Sequence, residues 1–339
     1  MAEKIEKDDI VLRKMVLHVL DTFHGDCILS DALLDPGPDF YEFIRTHIYK
    51  IISGDDAKHC VFNPETSPVY KELKKLDEQD EKSFLSVSQV LAERLYAAMG
   101  EGNDIQAADL LVVSFQARGK IFLALLKMNY RASFVHQIED DRADVIVSRG
   151  LLPASGTKIP EAAVIDLQDM GIQLLEKKYE VQGEKMFYLS ERFLVCHTQA
   201  APKQKFTILN RVVNNISNKY DGADLQKKMD MKSNLQKMYT EEQQFDVEKV
   251  GQELFGTRPD EKAEFDEKME QYDLQFDTFS ISNPSTLKKL EKQVLVADNG
   301  IEISIPMETY NKRAAFEIKQ EPGGKTTIIL REIENLILK

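Results

Sequence analysis

Nowhere in this chain does an apolar run approach the ~20 residues that span a bilayer. Its first residues, MAEKIEKDDIVLRK, mix charges of both signs where a secretory signal needs an uninterrupted apolar core. A soluble, cytoplasmic protein without membrane association is therefore expected. Cysteine is scarce, and Cys27, Cys60 and Cys196 stand far apart along the chain. An odd, dispersed set frames neither a disulfide scaffold nor a zinc knuckle, and it suits a reducing compartment. Internal repeats and low-complexity segments are also missing, which removes solenoids and arrays.

Sequence signatures of catalysis are missing too. In GLLPASGTK (Gly150 to Lys158) the lysine follows threonine, and in EPGGKTT the position five before Gly324 is Lys319, so neither fits the phosphate-loop spacing. Gly-Gly-Lys also precedes an expected strand, whereas a phosphate loop opens a helix whose N-terminus supplies the amide donors. His59-Cys60 and Cys196-His197 are adjacent pairs, too close for both side chains to chelate one ion. His18 lies in an alternating strand, facing either core or solvent, and no Ser-His-Asp set is identifiable. The acidic run EDDRAD (Glu139 to Asp144), or Asp109 with Glu176 and Lys178, raises the alternative of a magnesium-dependent nuclease. Such a site needs carboxylates that converge in space, which adjacency in sequence does not supply. A protein that is not an enzyme and needs no metal or nucleotide cofactor is expected.

What the chain does have is charge sorted by segment. The formal net charge is -13, yet Lys203 to Lys237 holds eight basic residues against three acidic ones. Tyr239 to Asp277 then holds thirteen acidic and four basic residues, and the first 202 residues carry about -10. Such asymmetry speaks about partners and solubility rather than fold.

The pattern of periodicities predicts an α+β protein in three stretches: an N-terminal mixed domain with an antiparallel sheet over 1–200, a helical region over 201–278 and a small αβ unit over 279–339. KMVLHVLD and CILSDALL flank a turn at His24-Gly25-Asp26 as a hairpin does, and a helix begins at Pro38. A second helix is expected from Ser83 to Met99, a central hairpin turns at Ala117-Arg118-Gly119, and strands are expected at Asp144 to Ser148, Ala163 to Leu167 and Met186 to Leu189. At 100° per residue, Phe206, Leu209, Val212, Val213, Ile216 and Tyr220 fall on one arc of a helix. Lys203, Arg211, Asn214, Asn215 and Asn218 fall on the other. Asp246 and Gly256 bracket a compact helix, and Asn283-Pro284 starts another with Leu287, Leu290 and Val294 inward. Asn299-Gly300 turns into a strand with Ile301, Ile303 and Ile305 alternating, and a last hairpin turns at Pro322-Gly323-Gly324.

The segments LHVLD, LSDALLDP, DLLVVSF, ADVIVSR and KVGQELFG, and above all FSISNPSTLKKL followed by GIEISIP, together resemble the bacterial 37 kDa nucleoid-associated protein family of the NdpA or YejK type. The likeness covers most of the chain and lies in the order and spacing of segments. It implies a nucleoid-located protein without known catalysis, associated with DNA and with a type II topoisomerase. It assigns no functional residue.

Asparagine is an indifferent helix former, so Asn210, Asn214, Asn215 and Asn218 on one helix are unusual for a face that needs only solubility. Asn with Lys and Arg is what phosphate and base-edge contacts use. The residues expected to meet DNA, without sequence preference, are Lys203, Lys205, Arg211, Asn214, Asn218, Lys219, Lys227, Lys228 and Lys232. The alternative is an adaptor that does not touch DNA and reaches the nucleoid through its partner. The apolar, methionine-rich helix from Leu225 to Met238 suggests a homodimer.

Overall fold

In the computed structural model, residues 5–335 are described, apart from 103, 140–141, 155–156, 223, 313–314 and 321–324. The chain forms two compact units, Met1–Ala201 and Pro202–Lys339.

The first unit is built on long antiparallel strands. β1 (Val11–Asp21) and β2 (Asp26–Ile28) form the expected hairpin, with a much shorter second strand than CILSDALL suggests. Helix α1 (Pro38–Ile52) follows, then β3 (Lys58–Phe62), α2 (Pro68–Leu73) and α3 (Glu81–Gly100). Asp80 caps α3 by accepting from the Ser83 amide. β4 (Ala108–Ala117) and β5 (Lys120–Asn129) make the long hairpin. Its turn needs left-handed backbone at Arg118 and Gly119, with φ of 49° and 77°. β6 (Arg131–Glu139) and β7 (Arg142–Leu151) form a ribbon of their own. β8 (Glu161–Asp166) and β9 (Gly171–Leu175) return to the main sheet, β10 (Tyr179–Val181) and β11 (Glu184–Met186) form a small hairpin, and β12 (Cys196–Thr198) closes the unit. The strand expected over Met186 to Leu189 stops at Met186; Leu189–Leu194 instead makes a π-helical turn that buries Leu189, Phe193 and Leu194.

The main sheet has eight strands in the order β12-β3-β9-β8-β5-β4-β1-β2. Antiparallel sheets often leave one face to water and then alternate polar with apolar. DLLVVSF does not alternate, because both faces are covered. Leu110, Val112, Leu123 and Leu125 face one core with Phe84, Leu91 and Leu95 of α3, while Leu111, Val113, Phe115 and Leu126 face another with Ile44, Ile48 and Ile51 of α1. Between the strands lies a buried polar cluster. Lys127 Nζ meets Glu161 at 3.1 Å and Asn129 Oδ1 at 2.6 Å, and Glu161 also accepts from the hydroxyls of Tyr179 and Tyr188 at 2.9 and 2.6 Å. A buried ion pair persists only when its remaining hydrogen-bonding capacity is met in this way.

The second unit begins with two long helices, α4 (Pro202–Tyr220) and α5 (Leu225–Glu242). The short strands β13 (Phe245–Asp246) and β14 (Thr278–Phe279) bracket α6 (Val247–Phe255) and α7 (Pro259–Gln271). Asp246 and Gly256 cap α6 as expected. Then come α8 (Pro284–Glu291), β15 (Lys292–Val296), β16 (Glu302–Pro306), α9 (Met307–Asn311), β17 (Phe316–Gln320) and β18 (Thr326–Leu330). β15 pairs with β16 around Gly300, whose φ of +84° suits the expected Asn-Gly turn. β17 pairs with β18, and their Pro322-Gly323-Gly324 turn lies outside the described residues.

Two expectations about side chains fail here. Val294 does not continue the buried stripe of α8, since the chain has already become strand β15 and Val294 is 49% exposed. Tyr220 is 41% exposed rather than part of the apolar arc, because its hydroxyl reaches out to Glu264. The methionine-rich helix uses its apolar surface within its own unit: Met231 and Leu235 join Leu209, Val213 and Phe245, and Met229 packs with Ile305, Met307, Tyr310 and Phe316. α5 therefore leaves no apolar surplus to argue for a dimer.

Candidate nucleic-acid interface

Helix α4 carries the segment on which the basic island begins. Its inward stripe of Phe206, Leu209, Val212, Val213 and Ile216 is buried among α5, α6 and α7 side chains. The edge beside that stripe lines a groove of about 390 Å³ formed by Lys203, Thr207, Asn210, Arg211, Asn214 and Asn215, with Thr286 of α8 on the other wall. These residues recur every three or four positions, so they share one side of the helix. From Lys203 to Asn214 the helix rises roughly 16 Å at ~1.5 Å per residue. A second hollow of about 190 Å³ adjoins it, sharing Asn210 and Asn214 and adding Lys232 of α5 and Lys292 and Gln293 of β15.

The basic residues of the island divide into two groups. Lys205 is turned inward, 6% exposed, with its Nζ 2.7 Å from Asp277 Oδ2. It is not available to a phosphate, and this corrects its place among the expected contacts: residue 205 follows the buried arc of α4 rather than its polar edge. Lys219 pairs with Glu264 at 2.5 Å, and Lys227 lies 3.7 Å from Asp221 and 3.9 Å from Asp224. Arg258 holds the same Asp221 at 3.3 Å. Arg211, Lys228, Lys232 and Lys292, by contrast, meet no carboxylate among the described residues. Lys232 is half-buried and donates to Gln293 Oε1. Burial alone lowers its pKa, so it is a cation held at some desolvation cost without an anion to offset it.

The structure thus brings Lys203, Arg211, Asn214 and Lys232 to one continuous groove. Asn218 and Lys219 lie exposed at the far end of α4, and Lys227 and Lys228 lie at the start of α5, outside the groove lining. Sequence reading missed Lys292 and Thr286. They arrive from more than seventy residues downstream, and no local pattern marks them as neighbours of α4.

The first unit answers the catalytic readings. The Ser30 amide donates to His18 Nδ1 at 3.1 Å, so the neutral ring carries its proton on Nε2 and offers it to Ser88 Oγ at 3.1 Å. The Ser88 hydroxyl donates to the Leu85 carbonyl. This polarity is opposite to that of an activated nucleophile, where the ring must accept from the hydroxyl. Burial also depresses the His18 pKa to about 4. Asp109 accepts from Tyr130 at 2.6 Å, while Glu176 is taken by Lys58 at 2.8 Å and by the Ser190 amide. Lys178 lies over the Phe187 ring. Asp140 and Asp141 of the acidic run lie outside the described residues, and among the described residues no three ligating side chains gather. Cys60 and Cys196, far apart in sequence, meet across β3 and β12; hydrogen bonding to Cys196 and then burial raise the Cys60 pKa. All three cysteines are free thiols. No helix among the described residues is long and apolar enough to cross a membrane.

Comparison with protein families gives a match over residues 16–337, to the family model described as nucleoid-associated protein YejK. It extends over both units. No curated protein matches the chain.

Proposed function

Because this chain belongs to the family of nucleoid-associated protein YejK, we propose that its second unit binds DNA directly, by seating phosphates along the α4 groove. The observation that carries this reading is the selective exposure of cations: Arg211, Lys232 and Lys292 line one continuous groove without carboxylate partners among the described residues, while Lys205, Lys219 and Lys227 are already neutralised. Asn210, Asn214 and Thr207 add neutral donors between them. Roughly 16 Å of helix matches about five base steps at 3.4 Å each, so a few successive phosphates can be met at once. Contacts of this kind position a protein on DNA without reading its sequence. The function is then architectural, with no chemical step.

Salt dependence is the direct test. If Arg211, Lys232 and Lys292 each neutralise one phosphate, log K should fall with log salt with a slope near -2.7, at ~0.9 per contact on B-DNA. Replacing all three by glutamine should bring the slope close to zero and weaken binding to every sequence alike. DNA binding with an unchanged slope would remove the groove from the reading. Absence of any binding by the native chain would favour the adaptor, for which the net charge of -13 speaks and for which a type II topoisomerase is the candidate partner.

A further inference from the structure

The β6–β7 ribbon stands outside the main sheet: its two strands pair with each other and with no other strand among the described residues. Phe134 lies opposite Val147, His136 opposite Val145 and Ile138 opposite Ala143, which puts all six side chains on one face. That face is apolar and bare. Phe134 is 76% exposed, Ile138 66%, Val145 65% and Val147 49%. The opposite face shows Ile146, 41% exposed.

A two-stranded ribbon is at best marginally stable alone in water, and contiguous apolar surface on a soluble protein marks an interaction site. We propose that this ribbon is an arm that packs on a second copy of the same chain, each copy receiving the other's arm about a two-fold axis. The area argument selects this occupant. Two strands of about nine residues, ~3.3 Å per residue and ~4.8 Å apart, present a face of roughly 300 Å². Laid on one partner, that face removes roughly 600 Å² in total, well short of the ~1,200 Å² at which stable interfaces begin. Reciprocal exchange uses the face twice and reaches that threshold, and two-fold closure leaves no arm unsatisfied. A different protein docked on one arm gains no such doubling. The proposal stands apart from the DNA reading, since its residues all belong to the first unit.

The test is the mass of the full chain in solution. At about 10 µM the native protein should sediment with the mass of two chains, and the variant Phe134→Thr/Val145→Thr/Val147→Thr with the mass of one, an affinity loss of at least ~100-fold. Threonine keeps the β propensity of the ribbon while removing its apolar surface. A second readout needs no variant: amide exchange in β6 and β7 of the native chain should slow as concentration rises from about 0.1 to 50 µM, because association protects the arm. A one-chain mass for the native protein at about 50 µM, with exchange independent of concentration, would overturn the proposal. So would a triple variant that keeps the mass of two chains.

Discussion

Lys205 and Arg211 lie six residues apart on one helix, and the structure gives their replacement opposite consequences. Lys205 is 6% exposed and its ammonium sits 2.7 Å from Asp277, whose side chain is 25% exposed. In Lys205→Gln the carboxylate keeps its place beside α4 and loses its counter-ion. Breaking a fully buried pair costs about 3–5 kcal/mol, while an exposed pair is worth under about 1. With one partner buried and the other a quarter open to water, about 2 kcal/mol is expected. Arg211 is exposed and meets no carboxylate among the described residues, so Arg211→Gln should change stability by less than about 0.5 kcal/mol. Urea unfolding measures the first effect, followed through the amides of α4, because two compact units need not unfold together. DNA binding over a range of salt measures the second, where Arg211→Gln should lower the slope by about 0.9 and Lys205→Gln should leave it unchanged. Lys205→Met/Asp277→Leu should regain much of the lost stability, since removing both charges also removes the stranded one. If Lys205→Gln flattened the salt slope while leaving stability intact, the division of the island into structural and DNA-facing cations would be wrong.

Two further outcomes follow from the buried groups of the first unit. Lys127→Met should cost about 3–5 kcal/mol in chemical denaturation, because Glu161 is fully buried and would lose its counter-ion. Stability should also fall on acidification: burial lowers the pKa of His18 and of His47 to about 4, the latter aided by Lys50, from 6.5 in the unfolded chain. Between those values the unfolded chain binds more protons than the folded one, so stability rises with pH. At ~1.36 kcal/mol per pH unit each histidine contributes about 3 kcal/mol that is present above pH 6.5 and lost by pH 4. A denaturation midpoint that stays flat from pH 7 to about 4.5 would contradict the burial of these rings.

The α+β class and most helix starts were legible because they rest on local rules. Asp246 and Asn283 announce their helices by capping, and Asn299-Gly300 announces its turn through a backbone angle that glycine adopts without strain. The misses share a different cause. Phe187 and Tyr188 continue an apolar pattern past Met186, but Ser190 is drawn to Glu176 at 3.0 Å and the chain winds into a π-helical turn. Lys205 looks polar by type and is placed by the arc it occupies. Lys292 and Thr286 become neighbours of α4 only through the packing of α8, and Cys60 meets Cys196 only through strand pairing across the sheet edge. Each of these depends on contacts distant in sequence, which periodicity does not encode.

The same distinction explains why an acidic chain keeps a basic stretch. The acidic run from Tyr239 to Asp277 is in part folded back on the basic stretch, since Asp277 and Glu264 reach Lys205 and Lys219 of α4. Arg258 of that run in turn holds Asp221 at the end of the same helix. Basic and acidic segments are therefore partly each other's counter-ions, and their sequence charges overstate what solvent meets. Among the described residues, Arg211, Lys232 and Lys292 stand without a carboxylate partner around a groove furnished with asparagine, as Lys228 does outside it. With a Debye length of about 8 Å at physiological salt, an anion seated in that groove would respond chiefly to the cations that line it. On the proposed reading, the acidic excess elsewhere in the chain would disfavour duplex contact away from such a groove.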